Sequence, residues 1–220
     1  MPEMRTLRVT GKGQLRIRPD RTRITLALEG LEPEYGEALR RSAADTEQLR
    51  ETLRGLGFAR SELKTLTFDV DTEYEGYQEA GAYRQRFVGY RYRHQLKLEF
   101  PSDNALLGRV LYALSNSPTQ PELRLSYTVS DPEAAKNELL ARAVADAKAK
   151  AAVLATAAGV GLKELQSIDY SWSALELEVR PMNRMLKAEV CAQADGAYDM
   201  DLEPDDIQVS DTVTLLWEIG

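Results

Sequence analysis

Residues 130–162, SDPEAAKNELLARAVADAKAKAAVLATAAGVGL, constrain the fold more than any other stretch of the chain. Ser130 and Glu133 have the spacing of a capping box, and Pro132 stands where a first-turn proline is tolerated. Gly159 supplies a residue for the left-handed stop. The helix expected from these signals runs over 131–158. Leu140, Val144, Ala147, Ala151, Leu154 and Ala158 recur at alternating spacings of four and three, which marks one face. Glu138 precedes Arg142 by four residues, and Asp146 precedes Lys150 by four, the favourable orientation for such pairs. Alanines on an apolar face imply close approach, so the segment reads as a long helix pressed flat on a sheet.

The strands to receive it are legible on both sides. Leu7, Val9, Gly11, Gly13, Leu15 and Ile17 share one parity, a half-buried strand with glycines at a bulge or a close contact. After the turn at Pro19-Asp20, Ile24, Leu26 and Leu28 alternate, and the two strands read as a hairpin. A helix from about Glu34 presents Tyr35, Leu39, Ser42, Thr46, Leu49, Leu53 and Leu56, and ends at Gly55 and Gly57. Leu66, Phe68, Val70 and Thr72 form a strand, EYEGYQEAGAYRQ an exposed, mobile hairpin tip, and Tyr90 to Phe100 a long strand with one apolar and one charged face. Ser102-Asp103 caps a short helix containing Leu107, Val110, Leu111 and Leu114. Leu123, Leu125, Tyr127 and Val129 mark a strand, as do Ile168, Tyr170 and Trp172. The last strand holds Ile207, Val209, Val213, Leu215, Trp217 and Ile219, with a bulge or exposed edge expected at Asp211. The fold class is α+β, with antiparallel or mixed sheets packed by long helices. Residues 1–101 supply β-β-α-β-β. Residues 102–220 supply α-β-α-β-β, with an irregular insertion at about 174–204.

Charge narrows the partners. The 220-residue chain carries a formal charge of -7, a poor match to nucleic acid or an anionic membrane. Residues 1–101 hold 18 Lys and Arg against 16 Asp and Glu, whereas 102–220 hold 10 against 19, so the halves differ in sign. Cys191 is the only cysteine, which excludes an internal disulfide. The first twenty residues lack the apolar run of a signal peptide, and no segment has the roughly 18 apolar residues of a membrane span. The expectation is a cytoplasmic protein, or a periplasmic or extracellular one if the N-terminus has been trimmed.

The search for chemistry returns little. His94, the single histidine, lies on the apolar parity between Tyr92 and Leu96 and reads as a packed, hydrogen-bonded histidine without an obvious catalytic partner. Nothing local supports a thiol mechanism joining it to Cys191. The carboxylates Asp199, Asp201, Glu203, Asp205 and Asp206 lack the turn glycine and distal glutamate of a calcium loop and read as a solvated acidic segment. Gly11-Lys12-Gly13 sits in a strand with no Ser or Thr after the lysine, so it is no phosphate cradle. The basic residues Arg91, Arg93 and Lys97 lie on the face opposite Tyr90 and Tyr92. That parity excludes combined base stacking and phosphate contact, and leaves the three cations as a candidate interaction stripe. No catalytic residue, cofactor or metal ligand is assigned.

Three stretches together resemble the SIMPL-domain family: VTGKGQLRIRPDRTRITLALEG, FVGYRYRHQLKLEF and SYTVSDPEAAKNELLARAVADAKAKAAVLATAAGVGL. The last strand, IQVSDTVTLLWEIG, is similar more loosely. The resemblance implies an α+β protein of two interlocked parts, often oligomeric, with no established catalytic residues. The expected role is a non-enzymatic self-assembling or protein-interaction protein, a homo-oligomer open to a further protein partner. The other reading is a small-molecule binder or hydrolase with a pocket between the two halves.

Overall fold

The computed structural model describes residues 5–79, 82–170, 177–180, 192–193, 197–199 and 202–220. In chain order the elements are β1 (Thr6–Ile17), β2 (Arg21–Glu32), α1 (Tyr35–Arg54), a 3-10 turn (Arg60–Glu62), β3 (Lys64–Glu79), β4 (Ala82–Pro101), α2 (Asn104–Ser115), β5 (Glu122–Thr128), α3 (Pro132–Ala158) and β6 (Leu162–Asp169). The short strands β7 (Glu178–Val179), β8 (Ala192–Gln193) and β9 (Ala197–Tyr198) follow, then β10 (Ile207–Ile219). The sheets run β1-β10-β6 and β3-β4-β2-β5-β7, and β8 pairs with β9. The fold is α+β, as expected. Most of the irregular stretch at 174–204, Trp172 and Cys191 lie outside the described residues.

The chain forms two compact units, each drawn from separate stretches: residues 1–19, 128–179 and 205–220, and residues 20–127 and 180–204. The cut expected between 101 and 102 falls inside the second. The expected β1–β2 hairpin does not form. β1 pairs antiparallel with β10 over its whole length, from Thr6↔Glu218 to Ile17↔Ile207, and β2 pairs with β4. Side-chain size separates the two strands. Ile24, Leu26 and Leu28 of β2 join a core of large residues with Leu49, Leu53, Leu96 and Leu98, whereas β1 offers a glycine floor.

That floor receives α3. A Cβ on Gly11 would lie 2.1 Å from the Ala143 carbonyl oxygen and 2.7 Å from Ala147 Cβ. One on Gly13 would lie 2.1 Å from the Leu139 carbonyl. Helix backbone therefore rests almost on strand backbone. The buried residues of α3 are Leu139, Ala143, Ala147, Ala151 and Ala155, a row at a spacing of four. This corrects the expected face: Leu140 and Val144 are half-buried flanks and Leu154 is 48 % exposed, because the helix backbone at Leu139, Ala143 and Ala147 is what rests on the glycines. The cap is Asp131, whose Oδ1 accepts from the Ala134 N–H at 2.8 Å, and Gly159 stops the helix at φ 66°. Val9, Val213, Leu215 and Trp217 complete this core. β6 starts directly after the helix and ends before Tyr170. Asp211 forms no bulge. It pairs in register with Gly13, is buried, and accepts a hydrogen bond from Tyr170 Oη at 3.0 Å.

In the second unit, α1 lays Ala38, Ser42, Thr46, Leu49 and Leu53 on the sheet. Tyr35 and Leu39, expected on that face, stay exposed, because Ala38 takes the contact position. α2 is capped by Asp103, which accepts from the Ala105 and Leu106 N–H groups, and buries Leu107, Val110 and Leu114. Among the described residues no helix is long and apolar enough to cross a membrane.

Candidate functional site

β3 and β4 run on as a two-stranded arm beyond the end of β2. The β2–β4 ladder stops at Glu32↔Tyr90, so residues 82–89 have β3 as their ladder partner on one side, and β3 is itself the edge of the sheet. Residues 74–78 and 82–88 are all exposed, on both faces of the ribbon. The arm leaves the sheet at an irregularity. Glu73 pairs with Gly89 but Tyr74 with Phe87, which leaves Val88 as an extra residue. Gly89 has φ 155°, and a Cβ there would lie 2.5 Å from the Glu32 carbonyl oxygen, so glycine is required at this corner.

The corner keeps one aromatic face continuous. Tyr35 and Tyr90, Tyr90 and Phe87, and Phe87 and Tyr74 make edge contacts with ring centroids 5.6, 5.3 and 5.7 Å apart. Further out, Tyr83 covers Gly76 and is 73 % exposed. The opposite face carries the Arg86–Glu75 ion pair at 2.6 Å. The two strands differ in charge: β3 holds Lys64 against Asp69, Asp71, Glu73, Glu75 and Glu79, and β4 holds Arg84, Arg86, Arg91, Arg93 and Lys97 against Glu99.

The edge of β1 is treated differently. Asp146 Oδ2 on α3 accepts from the Lys12 backbone N–H at 2.7 Å, and Arg142 donates to the Gln14 carbonyl at 3.2 Å. Lys150 and the Lys12 N–H hold the Asp146 carboxyl below its usual range. Helix side chains thus occupy two of the backbone groups that an open edge presents.

Arg91, Arg93 and Lys97 come together on the charged face of the sheet, each beside a carboxylate. Arg91 Nε donates to Glu73 at 3.0 Å and holds that carboxyl below its usual range. Arg93 lies 3.6 Å from Glu29 and 3.8 Å from Asp71. Lys97 donates to Glu99 at 3.0 Å, which also receives Arg23 at 2.6 Å. Burial pushes the Glu99 carboxyl up, but the hydrogen bonds from Lys97 and Arg23 leave it lowered. Most of the acidic partners stand on β2 and β3, and only strand register reveals them.

His94 is held on both ring nitrogens. Thr46 Oγ1 donates to the Ser42 carbonyl at 2.8 Å, so its oxygen accepts the Nδ1–H of His94 at 3.0 Å. Nε2 is then the acceptor and takes the Thr65 hydroxyl at 2.9 Å. Burial, and then the charge of Arg50, lower the imidazole pKa, so the ring is neutral at pH 7. Phe68 meets the ring edge-on, with centroids 5.1 Å apart. The ring borders an open cleft of about 420 Å³ between α1 and the strands, with Leu39, Ala43, Arg50, Arg60 and Thr65 on its walls. Hydroxyls at 42, 46 and 65 are the partners that the sequence alone did not point to; Ser42 and Thr46 on an otherwise apolar helix face were the available sign.

A second clasp ties α1 to β4. Tyr92 Oη donates to Asp45 Oδ2 at 2.5 Å, and Asp45 also receives Arg41. Burial, reinforced by Asp45, pushes the Tyr92 phenol up. Of the acidic segment, Asp206 lies 3.9 Å from Arg16, and Asp201 lies outside the described residues.

No curated protein matches the chain. The family model described as SIMPL, a protein of unknown function (DUF541), matches residues 7–217, from the glycine-floored first strand to the strand that pairs with it. The chain belongs to the SIMPL family.

Proposed function

We propose that the protein is a non-enzymatic self-assembling module, and that the β3–β4 arm is its contact with further copies. The observation that carries this reading is the contrast between the β1 edge and the arm. The β1 edge has two of its backbone groups taken up by Asp146 and Arg142, while the arm extends past its sheet with both faces exposed. An uncovered edge of this length is a template for strand addition.

Charge selects the mode. Like charges directly opposite one another destabilise a strand pair. Pairing two β4 edges would bring Arg84 and Arg86 against their own copies, and two β3 edges would set Glu73 and Glu75 against theirs. Setting β4 of one copy against β3 of the next alternates basic and acidic strands. Such a contact is heterologous, and closes into a ring or continues as a fibre. The aromatic strip supplies apolar area to bury, and Arg91 and Arg93 of the stripe stand at the root of the arm, with Lys97 farther along β4.

The test replaces residues 74–88 with a two-residue Asn-Gly turn, which joins the paired residues Glu73 and Gly89 as a hairpin. In sedimentation experiments the native chain should run as an oligomer at micromolar concentration, and the shortened chain as a monomer that keeps the helical circular dichroism signal of the native chain. A native chain that stays monomeric at low and at moderate salt, or a shortened chain that still assembles, would refute the proposal.

A further inference from the structure

We propose that the cleft beside His94 binds a small monocarboxylate with an apolar body. The site lies within the second unit and is independent of the arm.

The charge on its walls sets the class of ligand. Glu47 stands between two guanidiniums, 2.5 Å from Arg60 and 3.6 Å from Arg50. With the imidazole neutral, the wall carries one uncompensated positive charge. Arg50 is the under-satisfied member. Its Nε is shielded from solvent and has no hydrogen-bond partner, and its side chain is only 26 % exposed. A shielded guanidinium N–H without an acceptor is costly, and a carboxylate matches the forked donors of the group. One negative charge neutralises the wall, whereas a phosphate dianion would leave it overcharged.

The apolar part is equally specific. Leu39 is 37 % exposed and Phe68 is 42 % exposed, and they flank the cleft with Ala43. Phe68 is fixed against the His94 ring. The volume, about 420 Å³, is in the range of small-molecule sites and suits a body of several carbons. The Thr65 hydroxyl, now donated to Nε2, can turn to the carboxylate, and the ring then gains from taking up a proton.

His94 is the only histidine, so one imidazole signal in the proton NMR spectrum reports on the site. The probe is sodium hexanoate, titrated against sodium chloride at equal ionic strength. We expect a saturable shift of that signal and a raised His94 pKa, with acetate at least about tenfold weaker because it lacks the apolar body. Arg50→Gln should weaken hexanoate by about tenfold or more. Arg60→Gln, at an exposed position, should do so as well, by releasing Glu47 to neutralise Arg50. A response equal to that of chloride in the native chain overturns the proposal, whatever the variants do. A hexanoate response undiminished in Arg60→Gln overturns it too.

Discussion

Tyr127 is among the largest fully buried side chains, and its hydroxyl has no hydrogen-bond partner. Burial alone pushes its phenol pKa up, with no neighbouring charge to offset it. An unmade hydrogen bond at a buried hydroxyl costs about 1–3 kcal/mol. Tyr127→Phe should therefore leave stability unchanged or raise it by up to about 1 kcal/mol, read as the midpoint of urea unfolding. Tyr92→Phe is the informative contrast. Its hydroxyl bridges to Asp45, and removing it takes away the donor by which that carboxylate clasps α1 to the sheet, so that variant should lose stability. A loss in Tyr127→Phe equal to that in Tyr92→Phe would show that Tyr127 has a partner after all.

The glycine and alanine rows are two halves of one contact. In sequence they look like separate features, a Gly-x-Gly strand and a bland helix, and their spacings match because strand residues two apart lie close to one helical turn in length. Gly11→Ala sets a methyl group against helix backbone that cannot yield, and should destabilise by at least about 2 kcal/mol. Ala147→Leu should cost about 1–3 kcal/mol by the same overpacking, whereas Lys148→Leu, on the exposed side, should change stability by only about half a kcal/mol. Thermal melting of the three variants separates a packed face from a docking groove, in which the melting temperature would hold for all three. Helix ends, strand parities and the close approach were legible in the residues. The phase of α3 was not, because periodicity counted Leu154 and Leu140 as better core residues than Ala155 and Leu139. Only the glycines across the interface reverse that ranking.

At the scale of the whole molecule, the sequence placed the three helices and most long strands, set β6 several residues too late, and paired the wrong strands first. Adjacency in the chain favours a hairpin between β1 and β2, and nothing local announces that β1 waits for β10. The arm was legible as an exposed tip, yet its length depends on a ladder that persists to Glu79↔Ala82. The cations Arg91, Arg93 and Lys97 were legible, and their acidic neighbours were not. If assembly joins a basic strand to an acidic one, part of its driving force is Coulombic and screened by salt. The oligomer should accordingly dissociate in part as sodium chloride is raised from low to high concentration, measured by sedimentation. An assembly that tightens with salt would place the contact on the aromatic strip alone.

The pairing of the first strand with the last also fixes a timetable. Residues 6–17 find their partners at 207–218, so the sheet of the first unit cannot close on the ribosome until the chain has been made past residue 207. Residues 20–127 carry most of the second core and emerge much earlier. During synthesis β1 must wait as an unpaired, glycine-bearing strand while the other sheet forms beside it in time. Contacts between residues so far apart in sequence are slow to form. The late arrival of β10 therefore makes translation, rather than local structure, the clock for half of this protein.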